Sequence, residues 1–176
     1  MMNLHIEMSQ ADIVKVKGAL HLSQKAVRAA ARRAVRKTAR ATESESRREL
    51  SKELRVQQKL IRARLRLYRS GDALGQKVWL GLNAVAAARL GDPRRVAGGT
   101  QVGKHFFKNA FAIAKFGNGL YRRTGRERFP LELVKLDIEE TGDVVMRQAA
   151  ARADAHLMRI LQQEIRYELS KLGRRA

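Results

Sequence analysis

The chain has no cysteine, which excludes disulfides, thiolate chemistry and cysteine metal sites and is compatible with a reducing compartment. No apolar run approaches the roughly 20 residues that span a bilayer, so no membrane partner is expected. Residues 1–16 carry Glu7 and Asp12 and lack the apolar core of a signal peptide, so no export is expected either. Histidines are few and scattered: His5, His21, His105 and His156 form no HxH or HExxH spacing. No serine or threonine has a recognisable base partner. Gly98, Gly99 and Gly103 do not fit a phosphate-binding loop, and Lys104 is not followed by Ser or Thr. The helical glutamates Glu45, Glu49 and Glu53 are spaced to pair with Arg48, Lys52 and their neighbours rather than to work as catalytic carboxylates. No catalytic residue, metal or cofactor is therefore expected, and the sequence reads as that of a non-enzyme.

Negative charge is the other scarcity. Lys plus Arg number 37 against 17 Asp plus Glu, a formal charge of +20 on 176 residues. Such an excess costs self-repulsion on folding. Its usual recipients are nucleic acid, an anionic membrane or an acidic neighbouring protein; the plain alternative is a solvated surface without a partner. Arginine outnumbers lysine, favouring forked contacts to phosphate or carboxylate.

The length suits one domain with a modest core. Residues 1–18 read as a short strand or an ordered arm, 19–172 as the domain and 173–176 as a basic tail. The organising stretch is 19–69, alanine-rich, basic and helical. On a 3.6-residue wheel Val27, Ala30, Ala31, Ala34, Thr38 and Ala41 form a small-residue stripe, and Arg28, Arg32, Arg36 and Arg40 recur on the opposite side. The first helix is expected over 19–41. Glu45 interrupts the stripe, and Thr42 with Glu45 resembles a capping box, so a bend or restart is expected at 42–46. Leu50, Leu54, Leu60 and Ile61 continue a helical section to about residue 64.

Alternation then begins. Residues 64–68 read as a strand with a basic face and 77–82 as a second, with Val78, Leu80 and Leu82 on one side and Trp79 on the other. Ser70-Gly71-Asp72 is a turn signal. Gly91-Asp92-Pro93 stops a short apolar run, and Arg94 to Gly103 read as a flexible basic loop. Alternation over 110–115, then Gly117-Asn118-Gly119 and the answering residues 120–124, indicates a hairpin. Pro130 fixes the chain before Val134, Leu136 and Ile138, which share a face. A final helix is expected over 143–172, with Val145, Ala149, Ala153, Leu157, Ile160, Leu161 and Ile165 as its apolar sector and Gly173 at its end. The expected architecture is α+β: a small, mainly antiparallel sheet flanked by a long basic N-terminal helix and a long C-terminal helix.

Three basic patches stand out: Arg28, Arg32, Arg36 and Arg40; Arg62, Arg64, Arg66 and Arg69; and Arg122, Arg123, Arg126 and Arg128. None fits a zinc finger, a helix-turn-helix or a sheet with exposed stacking aromatics. Any contact to nucleic acid would be to backbone phosphate, non-specific and salt-sensitive.

Several phrases also resemble a known family. They are Val78-Trp79-Leu80-Gly81-Leu82-Asn83, Arg89-Leu90-Gly91, Ala110-Phe111-Ala112-Ile113 and the run from Tyr121-Arg122-Arg123-Thr124-Gly125 to Phe129-Pro130-Leu131-Glu132. In that order, between the two long helices, they resemble the phage minor tail protein Z family of tail-completion proteins over residues 15–172. The chain departs from the commoner form where Ala84, Val85, Ala86 and Ala87 stand in place of prolines, so that loop is expected to turn differently.

The resemblance implies a structural virion protein of the tail neck, assembled in the host cytoplasm. It implies a homo-oligomeric sixfold ring beside the tail terminator and the head-tail connector or stopper protein. The end of the packaged DNA or the tape measure protein is the further partner implied. In such a ring either the Arg28–Arg40 ridge or the Arg62–Arg69 patch borders the lumen. The interface candidates are Trp79, Phe106, Phe107, Tyr121, Arg122, Arg123, Arg126 and Arg128. The competing reading is a free, non-specific duplex nucleic-acid-binding protein, which would bind DNA as a monomer or dimer.

Overall fold

The computed structural model describes residues 2–20, 23–70 and 74–173. It is an α+β structure built from several helices and short antiparallel sheets. Strand β1 (Met2–Glu7) leads into helix α1 (Gln10–Leu20), then α2 (Gln24–Glu53) and the single-turn α3 (Gln58–Arg62). Strands β2 (Leu65–Ser70) and β3 (Gly75–Leu80) follow. The remaining strands are β4 (Val85–Ala86), β5 (Pro93–Val96), β6 (Gly99–Val102), β7 (His105–Lys108), β8 (Ala110–Ile113), β9 (Gly119–Arg123), β10 (Leu131–Leu133) and β11 (Lys135–Leu136). Helix α4 (Glu139–Gly173) closes the chain.

Capping chemistry explains where the helices begin. Ser9 and Asp12 form a reciprocal box: the Ser9 backbone and hydroxyl donate to the Asp12 carboxylate, and the Asp12 N–H donates to Ser9 Oγ at 3.2 Å. These bonds hold the Asp12 carboxyl below its ordinary range. The expected helix start at residue 19 is therefore corrected: residues up to 20 belong to α1, and α2 starts after Ser23, whose Oγ accepts from the Ala26 N–H at 3.2 Å.

The expected bend at 42–46 is absent. Thr42 and Ser46 are buried within a continuous α2, so the apparent capping box is two buried hydroxyls and an exposed Glu45. The chain turns later, where Arg55 takes φ 50° and the Val56 N–H bonds to Ser51 O. Ser51 Oγ donates to Val56 O at 2.6 Å and locks that turn.

The small-residue stripe marks the core-facing side of α2: Val27, Ala30, Ala31, Ala34 and Thr38 are buried, and Ala41 at its end is half-buried. The narrow stripe lets α2 lie close along α4, whose buried side carries Val145, Ala149, Ala153, Leu157, Ile160 and Leu161. Thr38 and Ser46 bury hydroxyls without a partner among the described residues. An unpaired buried hydroxyl is destabilising. Ser46→Ala should therefore raise the unfolding free energy by about 1 kcal/mol, read as a higher urea midpoint at unchanged slope.

The strands form several small sheets rather than the one expected. The orders are β1-β3-β2, β5-β6-β7, β10-β9-β8 and the pair β11-β4, all antiparallel. In the first, Leu4, Val78 and Leu67 are in register and line the side packed on the helices. Trp79 lies on the other side, as its alternation predicted, with its ring over Gly81. Breakers divide the rest: Gly91, Gly98, Gly103, Asn109, Gly117 and Asn118 all take positive φ, so no ladder runs long. The residues expected to be a flexible loop, Arg94 to Gly103, are the β5–β6 hairpin. Adjacent ladders are stitched together by the Ala87 N–H to Val134 O (2.9 Å) and the Val134 N–H to Leu120 O (2.8 Å).

Where the alanines replace prolines, Val85 and Ala86 form β4, and Ala87–Leu90 make a 3-10 turn. The hairpin expected at 110–124 is present as β8 and β9. The final helix starts earlier than residue 143 because Asp137 accepts the Glu139 N–H at 2.9 Å and begins the turn there.

Gly99 marks the tightest strand crossing. A Cβ there would sit 2.2 Å from the carbonyl oxygen of Phe107, a backbone atom that cannot swing aside. Gly99→Ala should cost about 3 kcal/mol, the upper part of the overpacking range. The expected readout is loss of amide-exchange protection centred on β6 and β7.

Candidate functional site

Helix α2 presents basic residues along two flanks, and α4 distinguishes them. On the α4 flank, Arg33 Nε donates to Glu164 Oε2 at 2.5 Å, and its Nη2 donates to Glu168 Oε1 at 2.5 Å. Lys37 Nζ reaches the other Glu164 oxygen, also at 2.5 Å, and Lys171 reaches Glu168 at 3.3 Å. Both carboxylates are almost fully buried, 5% and 8% exposed. Tyr167 completes the cluster, with the Arg33 guanidinium 5.4 Å and the Lys171 ammonium 4.2 Å from its ring centre.

Burial pushes both carboxyls up, and the hydrogen bonds from Arg33, Lys37 and Lys171 outweigh it, so both lie below their ordinary range. For Arg33, burial works against the charge, and its bonds to the two glutamates more than restore it. Further along the pair, Arg152 on α4 bonds both oxygens of Glu49 at 2.9 Å. These cations are structural: they clasp α2 to α4.

The other flank of α2 differs. Arg28 is half-buried and gives Nη2 to the Gln10 side chain on α1 at 3.1 Å. Arg32, Arg36 and Arg40 are exposed and have no ion pair or hydrogen bond to any described residue. With Lys25 and Arg28, Arg32 lines an open depression on this flank. One continuous helix therefore holds three guanidinium groups in a row, four residues apart and unpaired among the described residues.

The second patch is not one surface. Arg62 is exposed on α3, while Arg64 folds back and donates to the carbonyls of Asn83 and Ala84. Burial, then the nearby Arg89 charge, lowers the Arg64 pKa. Arg66 and Arg69 are exposed but three apart on β2, so they leave the strand on opposite faces.

The third patch is spread over β9 and the following loop. Arg122 pairs with Glu132 at 3.3 Å, and Arg123 lies 5.6 Å from the Phe111 ring centre. Arg126 and Arg128 are exposed, with Arg128 5.8 Å from the ring centre of Phe129. Tyr121 meets Phe116 edge-on at 5.7 Å, and Phe107 stacks with His105 while Phe106 is open to solvent. Trp79 belongs to a different sheet from the other aromatic interface candidates.

Sequence reasoning missed Arg33, Lys37, Glu164 and Glu168. The signal was present in part: glutamates at 164 and 168 stand where the apolar sector of α4 continues, and such positions are buried only with partners.

Residues 15–175 match the family model described as prophage minor tail protein Z (GPZ), and the chain belongs to that family. No curated protein and no solved structure matches it. No helix among the described residues is long and apolar enough to cross a membrane.

Proposed function

We propose that the protein completes the head-proximal end of the phage tail. Six copies form a closed ring beside the tail terminator and the head-tail connector or stopper protein, and the ring contributes to head-tail joining. The role is structural rather than catalytic, and its place is the neck of the virion. Arg32, Arg36 and Arg40, with Arg28 at the edge, face the channel and meet the end of the packaged DNA or the tape measure protein.

The observation that carries this reading is the division of α2 into a spent flank and a free one. Arg33 and Lys37 are consumed by buried glutamates, while Arg32, Arg36 and Arg40 beside them have no acidic partner among the described residues. Head-to-tail contacts that close a ring would gather such rows around one axis, where a polyanion offsets their mutual repulsion. The Arg62–Arg69 patch supports a channel role less well, because Arg64 is already bound and Arg66 and Arg69 diverge.

Light scattering and electron microscopy of the purified protein, alone and mixed with isolated tails, test the assembly. Sixfold particles, or protein seated on tail ends, are the expected result. A stable monomer that ignores tails and grips duplex DNA would favour the free nucleic-acid-binding reading instead.

A further inference from the structure

Helix α4 has a second ordered face that, apart from Ile165 at its edge, does not pack against the core. Val144, Gln148, Ala151, Ala155, Met158, Gln162, Ile165, Leu169 and Leu172 follow one another at alternating steps of four and three. This is the 3.5-residue spacing of a helix-pairing seam, sustained over about 42 Å of helix. No charged residue falls on it, in a chain where charge is abundant. All of these residues are exposed except Ile165, which is half-buried. Val144, Met158, Leu169 and Leu172 are 47%, 56%, 38% and 52% exposed. The core-facing residues Ala149, Ala153, Leu157, Ile160 and Leu161 lie roughly on the opposite side of the helix.

A row of arginines borders the seam. Arg152, Arg159 and Arg166 recur at sevens along one edge. Arg152 is engaged by Glu49, whereas Arg159 and Arg166 are exposed and have no partner among the described residues. In paired helices the residues flanking an apolar seam choose the partner by charge. The other flank carries Arg147, Asp154, Leu161 and Glu168, of which Leu161 and Glu168 are buried; a parallel second copy would set Asp154 against Arg159 but Arg147 against Arg152, and would leave Arg166 unanswered. Antiparallel pairing with a second copy would set one arginine row against the other, and like charges oppose it.

We infer that this face of α4 docks an amphipathic helix of a different protein, one with an apolar 3.5-period seam and acidic residues spaced at sevens along its edge. The small side chains of Ala151 and Ala155 let the two backbones approach at the middle of the seam. Met158 supplies an adaptable contact there. The inference rests on α4 alone and holds whether or not the chain forms a ring.

Fluorescently labelled peptides of about four heptads test it, with the intact protein as receptor. One has leucine and alanine on the seam and glutamate on the flank, a second replaces the flank with lysine, and a third scrambles the first. The glutamate-flanked peptide should bind at least about tenfold more tightly than either control. Met158→Glu with Leu169→Glu should abolish that preference at exposed positions, without altering the thermal unfolding curve. Arg159→Glu with Arg166→Glu should reverse it toward the lysine-flanked peptide. Equal binding of the scrambled peptide would reduce the effect to net charge and overturn the inference. So would sedimentation showing that Met158→Glu with Leu169→Glu dissociates a homo-oligomer, since a second copy would then be the occupant.

Discussion

Replacing Arg33 with methionine should cost about 3 kcal/mol of folding stability, a drop of about 10 °C in melting temperature for a domain of this size. The apolar stem is kept, so the loss comes from charge. Glu164 and Glu168 are nearly buried, and among the described residues Arg33 is the one cation that bonds both. Without it each keeps a single lysine, Lys37 or Lys171, whose exposed ammonium cannot enter between them. Removing one partner of a buried pair leaves an undercompensated charge, which is worse than never having built the pair.

The same cluster sets a pH dependence. Both carboxyls titrate below their ordinary range when folded, so between the depressed and ordinary values the unfolded chain binds more protons than the native one. Their stabilisation is complete above the ordinary carboxylate pKa and is lost as pH falls through the depressed one. Arg33→Met should flatten that acid-side decline as well as lower the plateau. Urea unfolding from neutral pH to pH 3 measures both. An unchanged plateau would mean that ordinary apolar packing holds α2 to α4.

Reversing the free flank should leave stability alone and disrupt function. Arg32→Glu, Arg36→Glu and Arg40→Glu alter exposed side chains with no partner among the described residues, and such substitutions usually move stability by about 0.5 kcal/mol or less. Against DNA the effect should be large. Three lost phosphate contacts lower the slope of log affinity against log salt by about 3, and the introduced carboxylates repel the backbone as well. Particles carrying the triple variant should assemble necks but fail to retain their DNA end. A control variant, Lys115→Glu, leaves α2 intact and should retain it. Normal neck assembly and normal DNA retention in the triple variant would remove the channel role from this ridge.

Periodicity made part of this legible beforehand. The buried stripe of α2, the core sector of α4 and the hairpin at Gly117-Asn118-Gly119 each follow from local spacing. The clasp does not, because Arg33 and Glu164 are 131 positions apart and no pattern in either helix names the other. The end of α2 was hidden because Arg55, not glycine, adopts the left-handed turn. The Ser9–Asp12 box was readable but lay in a segment that alternation made look like a strand or an arm. Conversely, glycines at 98, 99 and 103 suggested a loose loop, whereas they permit the close β6–β7 crossing and its turns. The seam on α4 is not legible in the sequence, because alanine, glutamine and methionine do not stand out as an apolar sector until the fold shows which side of the helix is already covered.

Electron microscopy of the head-proximal end of assembled tails addresses the central claim most directly. The account predicts sixfold density for this chain, with the guanidinium groups of Arg32, Arg36 and Arg40 on the channel wall. Finding those three side chains in bulk solvent, away from DNA and from any acidic subunit, would contradict it, as would a neck that lacks the protein.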